Sequence, residues 1–182
     1  VATLLGPGVA ATLDFEAGEV ACRRQALALA AHLLAEHLNA DTSDDIGPWR
    51  PCDHCGGPAR YAGRHAKTFT TALGALTLTR AYYHCAACNQ GGCPRDQALG
   101  LDGGSLSPAV TRMVGTAAAL VSFAESSELL AALAGLAVEA KQVERTAEAL
   151  GQAIAVDERQ QVVPAPAAEL APTMYLGLDG TG

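Results

Sequence analysis

The sequence predicts a mainly α-helical protein that carries a small β zinc ribbon. Three observations lead to this prediction. Two Cys-x2-Cys pairs enclose a stretch of alternating residues, apolar residues at helical spacing occupy both sides of that stretch, and hydrophobic residues make up 49% of the chain. That fraction is typical of a packed chain and excludes a disordered polar tail. Because no apolar run reaches the roughly 18 residues that span a bilayer, we expect a soluble, cytoplasmic protein with no membrane partner.

The net charge of −7 is distributed unevenly along the 182 residues. Residues 1–48 carry a net charge of −5 and residues 96–182 carry −7, whereas residues 49–95 carry +5. An acidic total argues against a general nucleic-acid-binding protein, whose binding surface is basic. The pattern therefore restricts where DNA could touch the chain, and it points to the basic segment in the middle.

Residues 13–39 have the pattern of a single helix. Leu27, Ala31, Leu34 and Leu38 recur at helical spacing, and acids stand near the start, where the helix dipole favours them. We expect this helix to serve packing or dimerisation. The polar stretch 40–48, which contains Gly and Pro, is typical of a linker, so residues 1–48 are predicted to be an N-terminal helix with its linker.

The predicted ribbon comprises residues 49–96 and contains a β-hairpin. Residues 67–73 and 76–83 alternate like two strands around Gly74-Ala75, and glycine at the first loop position favours a type II′ turn. A two-residue loop at this position pairs Phe69 with Arg80. This register places the large side chains of both strands on one face.

Four cysteines flank the hairpin. Cys52 and Cys55 form one Cys-x2-Cys pair, and Cys85 and Cys88 form a second pair, with 29 residues between the two pairs. Each pair forms a turn in which two thiolates converge on one ion, and four thiolates about 2.3 Å from Zn²⁺ make a closed, structural site. The alternatives are disulfides, which need an oxidising compartment, free thiols, or an iron–sulfur site.

Four further potential ligands or thiols lie in the chain. Cys93 could be a spare ligand, and His54 and His84 could substitute for a cysteine. With four thiolates available, we expect Cys93 to be a free thiol and the histidines to stay outside the site. Cys22 is most simply a small apolar residue of the first helix.

Residues 104–158 are predicted to be helical, with the layout of a helix-turn-helix. Ser107 is a suitable N-cap before Pro108, a second helix covers about residues 124–134, and Gly135 suits its end before a third helix from about residue 139. An ordinary helical bundle is the alternative. Lys141, Gln142 and Arg145 lie near the start of the third helix, where a recognition helix meets base edges.

The end of the chain contains a second linker and a short strand. Residues 159–172 are rich in Pro and Ala, and residues 173–182 form an apolar strand that ends in Asp179-Gly180. An Asp at a strand end can bind a divalent ion, although Asp-Gly is also a turn signal. Because the sequence starts at Val1 and stops within this element, we expect a fragment of a longer protein.

The motifs together resemble a known family. The stretches CDHCGGPARYAGRHAKTFTTALGALTLTRAYYHCAAC, SLSPAVTRMVGTAAALVSFAESSELLAAL, EAKQVERTAEALG and APTMYLGLDGTG resemble the N-terminal half of Kra-type insertion-sequence transposases of the DDE class. The resemblance covers roughly residues 13–182. It implies a zinc ribbon and a helix-turn-helix that recognise double-stranded DNA at the ends of the element, followed by the first strand of an RNase H-like catalytic domain at residues 173–182.

The resemblance also implies roles for individual residues. Asp179 would match the first of three acidic residues that hold two Mg²⁺ or Mn²⁺ ions during phosphodiester chemistry. Since one Asp cannot hold two ions, we expect this chain alone not to cut DNA. Base contacts are expected from Lys141, Gln142 and Arg145. Phosphate contacts are expected from the ribbon cations Arg60, Arg64, Lys67 and Arg80.

Two alternative interpretations keep the same fold. One is a stand-alone zinc-ribbon regulator derived from a truncated transposase gene, which occupies element ends or pairs with itself or with intact transposase through the first helix. The other is a zinc-dependent protein-interaction module without a nucleic-acid partner. Binding to terminal-repeat DNA distinguishes the regulator from the interaction module.

Overall fold

The computed structural model describes residues 14–101 and 104–161, and these contain helices and one antiparallel sheet of four strands in the order β1-β2-β3-β4. The described residues up to Ala147 form one compact unit, and the rest of the last helix belongs to a second. No helix within the described ranges is long and apolar enough to cross a membrane.

The predicted strand 173–182, with Asp179, lies outside the described residues. The elements are α1 (Phe15–Ala40), β1 (Trp49–Pro51), β2 (Pro58–Thr71), β3 (Gly74–Cys85), β4 (Gln90–Gly92), α2 (Pro94–Ala98), α3 (Pro108–Ala118), α4 (Phe123–Leu129), a π-helical turn (Leu130–Ala134) and α5 (Ala140–Gln161).

Helix α1 packs on the sheet through one narrow side. Asp14 caps its start by accepting a hydrogen bond from the backbone N–H of Glu16. Ala35 and Leu38 contact a buried cluster that includes Phe69 of the sheet. The helix itself is confirmed, but Leu34, which the sequence placed on the packed face, is 40% exposed.

The hairpin turn lies two residues earlier than the sequence predicted. Thr71 pairs with Gly74 and Phe69 pairs with Leu76, so the two loop residues are Ala72 and Leu73. The predicted register was wrong because the Thr71 hydroxyl fixes the turn: it accepts a hydrogen bond from the Leu73 N–H and donates one to the Gly74 carbonyl. The partner of Phe69 shifts by four positions, an even number, so the predicted faces are preserved.

Strand β3 buries opposite faces along its two halves. Leu76 and Leu78 are buried with Phe69 and Leu101 on the α1 side. Further along, Tyr83 and Cys85 are buried with other residues of the ribbon. Since successive strand residues project to opposite faces, the α1-side face loses its cover beyond Arg80.

Side chains, rather than another strand, cover the middle of the outer edge of β3. Asn39 donates from its side-chain nitrogen to the Thr77 carbonyl (3.1 Å) and accepts from the Thr79 N–H (2.8 Å). Asp44 accepts from the Ala81 N–H at 2.8 Å. The end of α1 and the segment after it thus satisfy edge groups that would otherwise lack partners. The predicted linker 40–48 is therefore docked on the sheet.

Three helical elements share a separate small core. The predicted N-cap Ser107 and the left-handed Gly135, with φ of 68°, are both confirmed. Ser122 and Glu125 form a capping box that begins α4, which then continues into the π-helical turn. The core residues are Leu106, Val110, Val114, Leu130, Leu136, Val138 and Val143. The pairing of the Ser105 and Ser107 backbone with Thr70 connects this core to the ribbon.

We predict that Asn39→Ala lowers the free energy of unfolding by about 1–3 kcal/mol, because it leaves a strand-edge donor and acceptor without their partner. Urea denaturation measures this change. Gln25→Ala, an amide removed from the exposed side of the same helix, serves as the control and should change stability by less than about 0.5 kcal/mol. Equal effects of the two substitutions would contradict the edge-capping role.

Candidate metal centre and the charges around it

The four predicted cysteines converge at one end of the sheet. Cys52 follows β1 and Cys85 ends β3, while Cys55 and Cys88 lie in the two turns that follow them. The first turn is closed by hydrogen bonds from the Cys52 N–H to the Gly57 carbonyl and from the Gly56 N–H to the Cys52 carbonyl. Pairing of Ala59 with Cys85 brings the two turns side by side. All four Sγ atoms lie within 4.8 Å of one another.

The sulfur positions suit a tetrahedral ion. In a tetrahedral Zn²⁺ site with metal–sulfur distances of about 2.3 Å, the sulfur atoms lie about 3.8 Å from one another. The Sγ atoms of Cys52 and Cys88 are 3.6 Å apart, and so are those of Cys55 and Cys85. These distances are far longer than the roughly 2.05 Å of a disulfide, and all four cysteines are free thiols. The cluster can therefore hold a metal ion such as Zn²⁺.

The surroundings shift the pKa values of these thiols in opposite directions. The backbone N–H groups of Cys55 and His54 lower the pKa of Cys52 to about 7. Burial raises the pKa of Cys88 to about 12, and its hydrogen bonds to neighbouring thiols act in the same direction. Close sulfurs disfavour one another's negative charge. A divalent cation bound between the sulfurs would offset this repulsion, since a coordinated thiol is deprotonated outright.

The other candidate ligands stay outside the site. Cys93 is buried at the start of α2, and burial raises its pKa. His84 is hydrogen-bonded through Nε2 to Asn89 at 3.2 Å. Within the described ranges the metal-ligand cluster contains the four cysteines alone, without Cys93, His54 or His84. Cys22 is exposed on α1, so it does not act as a core residue.

The positive charge of residues 49–95 is largely neutralised within the protein. Four of its six cations are paired with carboxylates: Arg50 with Asp53, Arg64 with Asp44, Arg80 with Asp96, and Arg95 with Asp44. Two of these acids, Asp44 and Asp96, lie outside the basic segment. A net charge of +5 in the sequence thus corresponds to a much smaller field at the surface.

The phosphate contact predicted for Arg80 is wrong. Arg80 is only 4% exposed, and its guanidinium lies between Asp96 and the Phe69 ring. Arg64 is also engaged internally, because it donates to Asp44 at 2.9 Å and to the Thr79 carbonyl at 2.6 Å. Burial and pairing hold both guanidinium groups away from a phosphate backbone.

The remaining predicted DNA contacts differ in how available they are. Arg60 is exposed and forms no ion pair with any described residue. Lys67 donates to the Gly104 carbonyl at 2.7 Å. On α5, Lys141 and Arg145 are exposed, whereas Gln142 is half-buried and donates to the Ser105 hydroxyl at 3.3 Å. Gln142 is therefore directed towards its own protein, and Lys141 and Arg145 are the outward pair.

Two features escaped the sequence interpretation. Asp44 is a buried acceptor for two arginines, although its polar neighbours indicated a linker. Trp49 is 60% exposed and stands directly opposite Arg60 in the sheet. The only signal for Trp49 was the presence of the chain's single tryptophan in the basic segment.

Comparison with known proteins supplies no relative. The chain matches no protein-family model, no curated protein and no solved structure.

We predict that one zinc ion binds per chain and that Cys52→Ser or Cys85→Ser removes it and unfolds the ribbon, since metal binding and folding are coupled in such sites. Elemental analysis and the loss of β-sheet circular dichroism measure the two effects. Cys22→Ser is the control, because Cys22 lies on α1 and is exposed; it should keep both metal and fold. Purified, folded protein that contains no metal would refute the site.

We also predict that zinc affinity falls as the pH is lowered. Each thiol must lose its proton to bind, and protonation of Cys52 below its pKa of about 7 adds to the competition from protons. Competition with a chromophoric chelator across a pH series measures the trend. An affinity that does not change with pH would exclude thiolate coordination.

Proposed function

We propose that the chain is the DNA-binding segment of an insertion-sequence transposase, with a structural zinc ion in the ribbon and a helix-turn-helix that recognises the double-stranded ends of the element. The observation that carries the DNA-binding part is the outward position of Lys141 and Arg145 near the start of α5. The transposase part is supported by the sequence resemblance.

Packing and a hydrogen bond fix the start of α5, as a DNA-recognition helix requires. Val143 is fully buried in the helical core. Because helix residues four apart lie on one side, Lys141 and Arg145 share the side roughly opposite Val143. Ser127 donates to the Val138 carbonyl at 2.7 Å, which fixes the segment that leads into α5. Arg can make bidentate contacts to guanine in the major groove.

Acidic residues limit the extent of this contact. Glu148 is exposed, and at about 100° per residue it falls on the same side as Lys141 and Arg145, one turn beyond Arg145. A carboxylate there repels phosphate. The proposed contact is therefore confined to the first two turns of α5, in agreement with the way recognition helices use their N-terminal residues.

The proposed zinc ion has a structural role. Four thiolates complete a tetrahedral shell and leave no position for a substrate. Cys52, Cys55, Cys85 and Cys88 would hold the two turns together, and with them the β1–β2 and β3–β4 ends of the sheet. We further propose, on the resemblance alone, that Asp179 is one ligand of the Mg²⁺ or Mn²⁺ ions in a complete transposase.

A second candidate function is a protein-interaction module or regulator that acts through α1. The observation that favours it is a set of exposed apolar residues on that helix, Val20, Leu29 and Leu33. Leu29 and Leu33 are four residues apart and so share one side. A partner helix, including that of a second copy of the chain, could cover them.

We predict that Lys141→Ala with Arg145→Ala abolishes preferential binding to terminal-repeat duplex, because the variant removes the outward cations of α5. Fluorescence anisotropy with terminal-repeat and random duplexes measures the preference. Arg112→Ala, which removes an exposed cation from α3, is the matched control and should keep it. Because few cations are free, we expect log K to fall with log salt at a slope no steeper than about −4.

Equal weak binding of both duplexes by the parent protein would contradict recognition of element ends. In that case, concentration-dependent association that is lost in Leu29→Ala with Leu33→Ala would support the interaction module. Loss of the preference in the Arg112 variant alone would place the reading surface on α3.

A further inference from the structure

We propose that the open face of the sheet beside the metal centre binds unpaired nucleotides by stacking. This activity goes beyond the proposed duplex recognition by α5, and it uses different residues. The face is formed by Trp49, Arg60, Tyr82 and His84, together with Gly91, and we call it the aromatic face.

The strand register places these residues in one row. Trp49 pairs with Arg60, Arg60 with His84, and His84 with Gly91, so each of the four strands contributes one residue. Directly opposite residues of antiparallel strands project to the same side. Tyr82 lies two positions before His84 on β3 and therefore shares that side.

This side of the sheet is less covered beyond Arg80, because β3 changes its buried face: Tyr82 and His84 are half-buried there, and Trp49 and Arg60 are exposed. Helix α1 covers the same side further along the strand, where Leu76 and Leu78 are buried. Beyond Arg80 the buried residues are on the opposite side and include Tyr83 and Cys85. The aromatic face begins where the cover of α1 ends.

The Tyr82 ring lies against β4 and stacks on a neighbouring ring. Tyr82 stacks on His65 with ring centroids 4.4 Å apart and planes 16° from parallel. A Cβ atom on Gly91 would collide with the Tyr82 ring, so glycine is required for the ring to lie against β4. Trp49 is the exposed ring of this face, and such a ring can accept another flat ring, whatever its substituents.

Charge and shape identify a polynucleotide as the ligand. Arg60 is exposed and forms no ion pair with any described residue, while the only acid of the basic segment, Asp53, is paired with Arg50. A shallow cavity of about 420 Å³ lies among Pro48, Trp49, Pro58 and Arg60. Stacking of bases on aromatic rings with a cation at the backbone is the general mode of single-strand binding. A duplex keeps its bases inside its own stack and cannot use the rings.

The chain contains a single tryptophan, so its fluorescence reports on this face directly. Titration of the full chain with an oligothymidylate should quench Trp49 fluorescence to saturation, and the quenching should weaken as salt is added. Trp49→Ala, followed by anisotropy of a labelled oligothymidylate, should bind about 5- to 150-fold more weakly, the range that follows from loss of one base stack.

Three controls separate this inference from the proposed function. Phe15→Ala removes an exposed aromatic ring from α1 and should bind oligothymidylate like the parent. Trp49→Ala should bind terminal-repeat duplex like the parent, and the Lys141→Ala, Arg145→Ala variant should still bind oligothymidylate. Failure of duplex recognition alone would leave the single-strand result standing.

The inference is overturned if folded protein shows no quenching with oligothymidylate, or if Trp49→Ala binds the oligonucleotide as tightly as the parent. Quenching of equal strength by polyglutamate would also overturn it, since the face would then select negative charge rather than bases. So would loss of single-strand binding in the Lys141, Arg145 double variant.

Discussion

The buried carboxylate of Asp44 is the contact on which the arrangement of the ribbon depends. It accepts hydrogen bonds from Arg64 at 2.9 Å, from Arg95 at 3.1 Å and from the Ala81 N–H at 2.8 Å, and its residue is 6% exposed. Arg95 also donates to the Leu38 carbonyl near the end of α1. One carboxylate thus joins α1, the edge of β3 and the start of α2. A buried charge is tolerated only when it is paired and hydrogen-bonded in this way.

This network neutralises much of the positive charge of the basic segment, residues 49–95. Its arginines serve mainly to balance buried acids, and so its sequence charge is not a measure of its affinity for phosphate. Among the residues proposed to contact nucleic acid, the outward cations are Lys141 and Arg145 at the start of α5 and Arg60 on the aromatic face. We propose duplex recognition for the start of α5 and stacking of unpaired bases for the aromatic face.

Local signals in the sequence predicted a good part of the fold. The cysteine spacing located the cluster of four cysteines that could hold a metal ion, and the cap residues Ser107 and Gly135 located helix ends, because these depend on a few neighbouring atoms. The hairpin register was missed because the Thr71 hydroxyl, rather than glycine, sets the turn. The roles of Asp44 and Arg80 could not be read from the sequence, since only tertiary packing decides which arginine meets which acid. The role of Asp179 stays a prediction.

A double-mutant cycle between Asp44 and Arg95 measures whether this buried ion pair holds the ribbon together. Unfolding free energies of Asp44→Ala, Arg95→Ala and the double variant are compared with those of the parent protein. The structure predicts a coupling energy above about 1 kcal/mol, since the groups are in contact and buried. A parallel cycle of Asp44 with Arg60, which is exposed and outside the network, should be additive. Additivity within about 0.5 kcal/mol for Asp44 and Arg95 would show that the two groups are not coupled and that Asp44 does not organise the ribbon.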